Sequence, residues 1–328
     1  MNNHVQQGQP VDDQIETPFD IEQRDAGGTI LSASGFLTSY RERNDIFGLF
    51  LQLNQLVKSV QLHRGISLGL LAGDKSQLDK FERLQTQIDK RLNMIQLLSA
   101  DSEVLSTRDK DNTQMEWNTI RQNWQEDNLA DNFELHSHFI EHILGLISVL
   151  AKYLESPMDS AVDSLAEHRS ESIAYPKAFK KIEVLNFIAK QLPVMIEFIA
   201  QIRGLSAYAT TLGSVGDGRG RKIKYLLQCA REHNEKLRHR AVRLNEIVEG
   251  KLTSLTDMGD FELKQNFLFT TIESDLLSGN TISASAPHLF DLASLINDGY
   301  WEVVFKGIEL IKAWHEEDME AFINHQPS

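Results

Sequence analysis

Cysteine and proline are both scarce in this chain of 328 residues, and each scarcity excludes a class of structure. The single cysteine, Cys229, excludes a disulfide framework and any metal site built from several cysteines. Only seven prolines are present, and none lies between Pro18 and Pro157. Because proline breaks helices and is common in turns, so long a gap favours long helices over many short strands.

Long apolar runs and positive charge are also in short supply. No run approaches the ~18 residues that cross a bilayer, and residues 1–20 lack the basic start and apolar stretch of a signal peptide. The chain has 33 Lys and Arg against 47 Asp and Glu, a net charge of −14. Such a chain repels nucleic acid and anionic membranes, so we expect neither as a partner. The lack of a signal-peptide pattern and of a membrane-spanning run predicts a cytoplasmic protein.

The spacing of the apolar residues predicts an all-α fold. From residue 37 onward they recur at steps of three and four, and no segment shows the alternation typical of a strand. The pattern predicts about ten helices in two packed bundles, over residues 37–175 and 176–325. The last two helices are predicted over residues 289–297 and 302–322. Residues 1–36 are polar and are expected to form a flexible tail.

Two motifs resemble catalytic sites, and the sequence around each argues against that interpretation. Residues 65–69 match the G-x-S-x-G nucleophile motif, which requires a preceding strand, whereas the pattern here is helical on both sides. His138, Glu141 and His142 match the H-x-x-E-H zinc-protease motif, with Glu134 one helical turn earlier. The spacing places no third ligand, so a metal-dependent enzyme stays an alternative, and we predict no catalytic, metal or cofactor site.

One segment reverses the charge of the chain. Residues 219–243 carry nine Lys or Arg against Glu232 and Glu235, a local charge of +7, beside an apolar side. Such a segment could bind nucleic acid, an acidic partner or a membrane surface. The negative charge of the whole chain favours a solvated face whose cations pair with acidic neighbours.

A short motif occurs twice, at matching places in two predicted helices. It reads Arg-Gly-Ile-Ser at Arg64 and Arg-Gly-Leu-Ser at Arg203, and each copy follows a strongly apolar run. At 100° per residue, each arginine falls on the apolar stripe of its helix. The sequence therefore predicts two arginines that point into the core.

A buried guanidinium without a counter-charge is strongly disfavoured, so each arginine requires a partner. That partner is either a carboxylate from another helix, which is the commoner solution, or a small anion from solution. Guanidinium offers a planar fork of donors that suits a planar oxyanion. Ser67 and Ser206 lie one turn after their arginines and could add hydroxyl donors, while Gly65 and Gly204 allow close helix packing.

The repeated motifs resemble the two arginine-bearing helices of the nitrate- and nitrite-sensing (NIT) domain family. The similar segments are residues 61–73 and 192–213, within a resemblance that covers about residues 40–300. It implies an all-helical sensor, commonly a homodimer, in which one arginine from each motif, here Arg64 and Arg203, clamps the oxyanion. Family members usually join this sensor to an output region. Nothing later in this chain is similar to one, which implies an unknown protein partner for output.

Two hypotheses follow for the function. The favoured one is a soluble, non-enzymatic sensor that binds nitrate or nitrite through Arg64, Arg203, Ser67 and Ser206 and responds by conformational selection. The alternative is a helical adaptor in which both arginines are structural and residues 219–243 form the docking surface.

Overall fold

The computed structural model describes residues 33–100, 104–156 and 175–325, and every regular element within these ranges is helical. The all-α prediction is therefore confirmed. The helices are α1 (Ala33–Leu71), α2 (Leu78–Leu98), α3 (Thr107–Arg121), α4 (Leu129–Glu155), α5 (Lys177–Asn186), α6 (Leu192–Thr211), α7 (Asp217–Ile247), α8 (Met258–Thr271) and α9 (Ala286–His325). A π-helical turn, Phe187–Gln191, joins α5 and α6 into one continuous helix. The nine labelled segments therefore form eight packed helices within the described ranges, near the predicted ten.

The first and last helices differ from the predicted boundaries. α1 begins at Ala33 rather than at residue 37, because Phe36 is fully buried and stacks on Phe322 of α9, with 3.8 Å between the ring centroids. The earlier part of the predicted tail, residues 1–32, lies outside the described residues.

The prediction of two separate C-terminal helices was wrong, since α9 is one helix of 40 residues. Asn297 and Gly299 interrupt the apolar pattern without ending the helix. Asn297 is buried, and Gly299 lies against the ring of Phe261, where a Cβ would come within 2.3 Å of a ring carbon. The glycine therefore allows α8 to approach α9 and does not break the helix.

α1 and α6 are the central helices of the fold. α2 and α4 pack on α1, α7 and α9 pack on α6, and α1 and α6 pack on each other. The apolar core is one connected cluster that includes residues from both predicted bundles, while the division near residues 175 and 176 stays a prediction. None of the helices in the described ranges is long and apolar enough to span a bilayer.

Both central helices end in the same hydrogen-bonded cap. Gly73 adopts a φ of +101°, its amide donates to the carbonyl of Leu70, and the next amide, from Asp74, donates to the carbonyl of Gly69. Gly213 repeats this arrangement at the end of α6 with a φ of +69°. This is the Schellman motif, which favours glycine because its left-handed backbone conformation disfavours a Cβ.

Candidate functional site

The two copies of the repeated motif meet where α1 crosses α6. A Cβ built on Gly204 would lie 3.6 Å from the Cα of Gly65 and 2.9 Å from a methyl carbon of Leu68. The small residues therefore set the close approach that the sequence predicts. Because each arginine precedes its glycine by one position, the crossing brings Arg64 and Arg203 into the same part of the core.

Arg64 is fully buried, as predicted, and its partner is a carboxylate from α6. Its Nη1 lies 2.7 Å from Oε1 of Glu197, and its Nη2 lies 3.1 Å from Oε2, so the pair is bidentate. Nη1 also donates to the hydroxyl of Ser137 on α4 at 3.0 Å, and the guanidinium lies over the ring of Phe133. Arg64 thus joins α1, α4 and α6.

Glu197 accepts hydrogen bonds from two further side chains. The amide nitrogen of Gln61 lies 2.9 Å from Oε2, and that of Gln201 lies 2.7 Å from Oε1. The Glu197 side chain is 14% exposed. Four hydrogen bonds therefore hold this carboxylate at the edge of the core, which restricts its movement.

Arg203 is also buried, with 4% of its surface exposed, but its partners are neutral. Its Nη2 donates to the backbone carbonyl of Gln61 at 2.8 Å, its Nη1 donates to the hydroxyl of Ser294 at 3.1 Å, and Phe290 lies under the guanidinium. Among the described residues, no carboxylate forms an ion pair with Arg203, and its Nε has no hydrogen-bond partner. The crossing of α1 and α6 therefore brings together one guanidinium that is paired with a carboxylate and one that is not.

The two arginines are close enough to repel each other. Burial, followed by repulsion from Arg64, lowers the pKa of Arg203 to about 10, while attraction to Asp298 and Glu197 opposes the shift. Asp298 contributes from the surface, where its side chain is 61% exposed and pairs with Lys58. A pKa of about 10 leaves the guanidinium of Arg203 positively charged at neutral pH.

The two predicted serines have different surroundings. The hydroxyl of Ser67 lies 2.7 Å from Oδ1 of Asn132 on α4 and 2.9 Å from the backbone carbonyl of Arg64. Its donor is therefore occupied by α1–α4 contacts. The hydroxyl of Ser206 is buried and has no partner within the described part of the chain. Of the two, Ser206 is the one with a donor still to be satisfied.

A small cavity adjoins the crossing of α1 and α6. Its volume is about 20 Å³, and Gly65, Ala207 and Phe290 are among the residues that line it. This is room for about one water molecule. A four-atom oxyanion needs more space, so its entry requires side chains around the crossing to move.

Two buried histidines, which sequence reasoning missed, lie beside Arg64. Nδ1 of His63 lies 2.7 Å from Nε2 of His136, and Nδ1 of His136 lies 2.7 Å from the backbone carbonyl of Asn132. Because a carbonyl only accepts, His136 carries its proton on Nδ1 and accepts at Nε2 from His63. Nε2 of His63 is left without a partner. The burial of both histidines could have been predicted from the sequence, because each lies on the apolar face of its helix.

Two of the four residues considered as metal ligands, His142 and Glu134, pair with other side chains, while His138 and Glu141 are exposed. Nδ1 of His142 lies 2.9 Å from Oε2 of Glu116, and Glu134 pairs with Lys222 at 2.7 Å. Within the described ranges, no group of three or more His, Cys, Asp or Glu is placed to hold a metal ion. The geometry gives the metal-enzyme alternative no support.

The basic segment, residues 219–243, makes up most of α7, and most of its cations lie on the exposed side of this helix. Some of the segment's cations pair with acidic neighbours as expected. Lys222 pairs with Glu134, and Arg231 forms two hydrogen bonds with Glu273. Five other cations are exposed and form no ion pair with the described residues. They are Arg221, Lys224, Lys236, Arg240 and Arg243.

Comparison with known proteins leaves the family of this chain open. No protein-family model, curated protein or solved structure matches it. The resemblance to the nitrate- and nitrite-sensing domain therefore stays a prediction.

Proposed function

We propose that this protein is a non-enzymatic sensor that binds a small univalent oxyanion, such as nitrate or nitrite, beside Arg203 and Arg64. The observation that carries the proposal is the charge count of the site. Two buried guanidinium groups face one carboxylate, that of Glu197, which leaves one positive charge without a counter-ion. Since an uncompensated buried charge is costly, one univalent anion would stabilise this arrangement.

The donors around Arg203 suit a planar oxyanion. Its guanidinium presents a fork of N–H groups, and it now bonds only to neutral oxygens of Gln61 and Ser294. An anion would replace these neutral acceptors by a charged one, which could bind the guanidinium in a bidentate manner and would neutralise its buried charge. Nε of Arg203 and the hydroxyl of Ser206 are buried, unsatisfied donors that could contribute. Ser67 would contribute only after leaving Asn132.

The response would come from the contact between the central helices. An anion that enters the crossing favours arrangements of α1 and α6 with more space than the cavity of about 20 Å³ offers, and its differential affinity sets the size of the signal. We propose that the sensor acts in the cytoplasm as a homodimer and passes its signal to a separate protein. The homodimer and the separate output protein rest on the resemblance to nitrate- and nitrite-sensing domains.

Isothermal calorimetry with nitrate and nitrite tests the proposal. We expect wild-type protein to bind at least one of them at millimolar concentration or below, and Arg203→Gln to weaken binding by about tenfold or more, because a charge-assisted bond is lost. Arg240→Gln, which removes an exposed arginine from α7, is the matched control and should bind normally. No heat and no thermal stabilisation at millimolar anion would refute the proposal.

A second candidate function is a helical adaptor in which the arginines are structural. The bidentate pair between Arg64 and Glu197 favours it, because Arg64 joins three helices through hydrogen bonds to Glu197 and Ser137. Removing one partner of a buried pair costs about 3–5 kcal/mol, so Arg64→Ala should strongly destabilise the protein under both hypotheses. They differ in the effect of anion: nitrate should raise the melting temperature of wild type only if the protein is a sensor.

A further inference from the structure

We infer that Glu197 determines the charge of the ligand, so that the site accepts univalent oxyanions and discriminates against divalent ones. The inference rests on the proposed function, because it assumes an anion site beside Arg203. It assigns to Glu197 a role in specificity, in addition to its contact with Arg64.

Geometry indicates that Glu197 stays in place when an anion binds. Its carboxylate accepts both Nη groups of Arg64 as well as the side-chain amides of Gln61 and Gln201. Displacing it would leave all four donors without their acceptor, three of them on α1, and buried unsatisfied donors are costly. An incoming anion meets no such competition at Arg203, whose present partners are neutral.

The charge balance then selects the ligand. With Glu197 in place, the two guanidinium groups leave a net charge of +1, which a univalent anion brings to zero. A divalent anion would leave one buried negative charge, and it would also lie close to the Glu197 carboxylate. Asp298 attracts Arg203 more strongly than Glu197 does, but its side chain is exposed and paired with Lys58, so solvent and this cation offset its charge.

Perchlorate and sulfate provide the test, because both are tetrahedral oxyanions and they differ by one unit of charge. Calorimetry on the full chain should find that wild type prefers perchlorate to sulfate, as well as binding nitrate. Glu197→Gln keeps the shape of the side chain and raises the net charge of the site by one. We expect it to shift the ratio of the two affinities toward sulfate by about tenfold or more. Glu134→Gln makes the same chemical change at an exposed ion pair and should leave the ratio unchanged.

The outcomes separate this inference from the proposed function. If wild type binds nitrate and Glu197→Gln leaves the perchlorate-to-sulfate ratio unchanged, the specificity role of Glu197 is refuted while the sensor stands. If wild type binds none of these anions, both proposals fail together.

A second variant covers the case in which Glu197→Gln does not fold. Gln201→Glu places another carboxylate beside Glu197, and repulsion between the two raises the pKa of one of them. This variant is therefore titrated at about pH 8.5, where ionisation of both carboxylates brings the net charge of the site to zero. Gln201 is half-buried, so the new group has access to water and a folded variant is expected. It should weaken nitrate and perchlorate binding by about tenfold or more. Unchanged nitrate affinity in a folded Gln201→Glu protein would contradict the inference.

Discussion

The buried histidine pair makes the stability of the protein sensitive to mild acid. His63 stacks on Phe81 at 4.2 Å between ring centroids, and its Nδ1 proton is donated to His136. Burial, partly offset by the bond to the Asn132 carbonyl, lowers the pKa of His136 to about 3. Burial also lowers the pKa of His63, as does its neighbour His136. Both rings are therefore neutral in the folded protein at neutral pH.

The sign and size of the effect follow from linkage. The pKa of His136 is about 3 in the folded protein and 6.5 in the unfolded chain. Below about pH 6.5 the unfolded chain therefore binds a proton at this residue that the folded protein does not bind, and stability falls as the pH falls. Between pH 7 and pH 5 this one group should lower the free energy of unfolding by about 2 kcal/mol. The loss in this range depends almost entirely on the unfolded pKa, and His63 adds to it in the same direction.

Urea unfolding followed by circular dichroism at pH 7 and pH 5 measures the loss. His136→Gln should lose about 2 kcal/mol less than wild type over this range, because Gln does not titrate. His138→Gln, on the exposed side of the same helix, should lose as much as wild type. Equal losses in wild type and His136→Gln would refute the assignment of this pH dependence to the buried pair.

Two further predictions concern glycines inside helices, and thermal or urea unfolding of each variant measures both. Gly299→Ala should destabilise the protein by about 1–3 kcal/mol, because the new methyl group would lie 2.3 Å from the ring of Phe261; adding Phe261→Leu should recover part of the loss, and no recovery would exclude this contact as the cause. Gly145→Ala in α4 has no neighbouring atom within 4 Å, so it should stabilise the protein by about 0.5–1 kcal/mol through helix propensity, and a loss of stability there would contradict this account.

The burial of the arginines could be predicted from sequence, whereas the identity of their partners could not. Arg64 and Arg203 lie on apolar stripes, and helical periodicity is a local property that sequence reveals directly. The partner of Arg64 is 133 positions away along the chain. Glu197 also lies in an apolar tract, six residues before Arg203, but only the crossing of α1 and α6 determines which arginine it meets. A contact of that range depends on tertiary packing.

The histidines illustrate the same limit. Spacing within one helix drew attention to His138 and His142, which lie on partly exposed surfaces. The pair that forms is His63 with His136, from two different helices. His136 precedes the buried residues Phe139 and Ile140 by one helical turn, and this position on the apolar face could have indicated its burial. Its hydrogen bond to His63 could not be predicted without knowing how α4 packs on α1.

The polar residues inside α1 also have a consequence for how the helices align. Gln61, His63, Arg64 and Ser67 occupy two turns, and each bonds to a partner on α4, α6 or α9. An interface of leucines alone could slide by one turn, about 5.4 Å, and recover much of its packing. Here the same slide would leave several buried polar groups without hydrogen-bond partners, and each would lower the free energy of unfolding by about 1–3 kcal/mol. These residues therefore select a single register for the central helix.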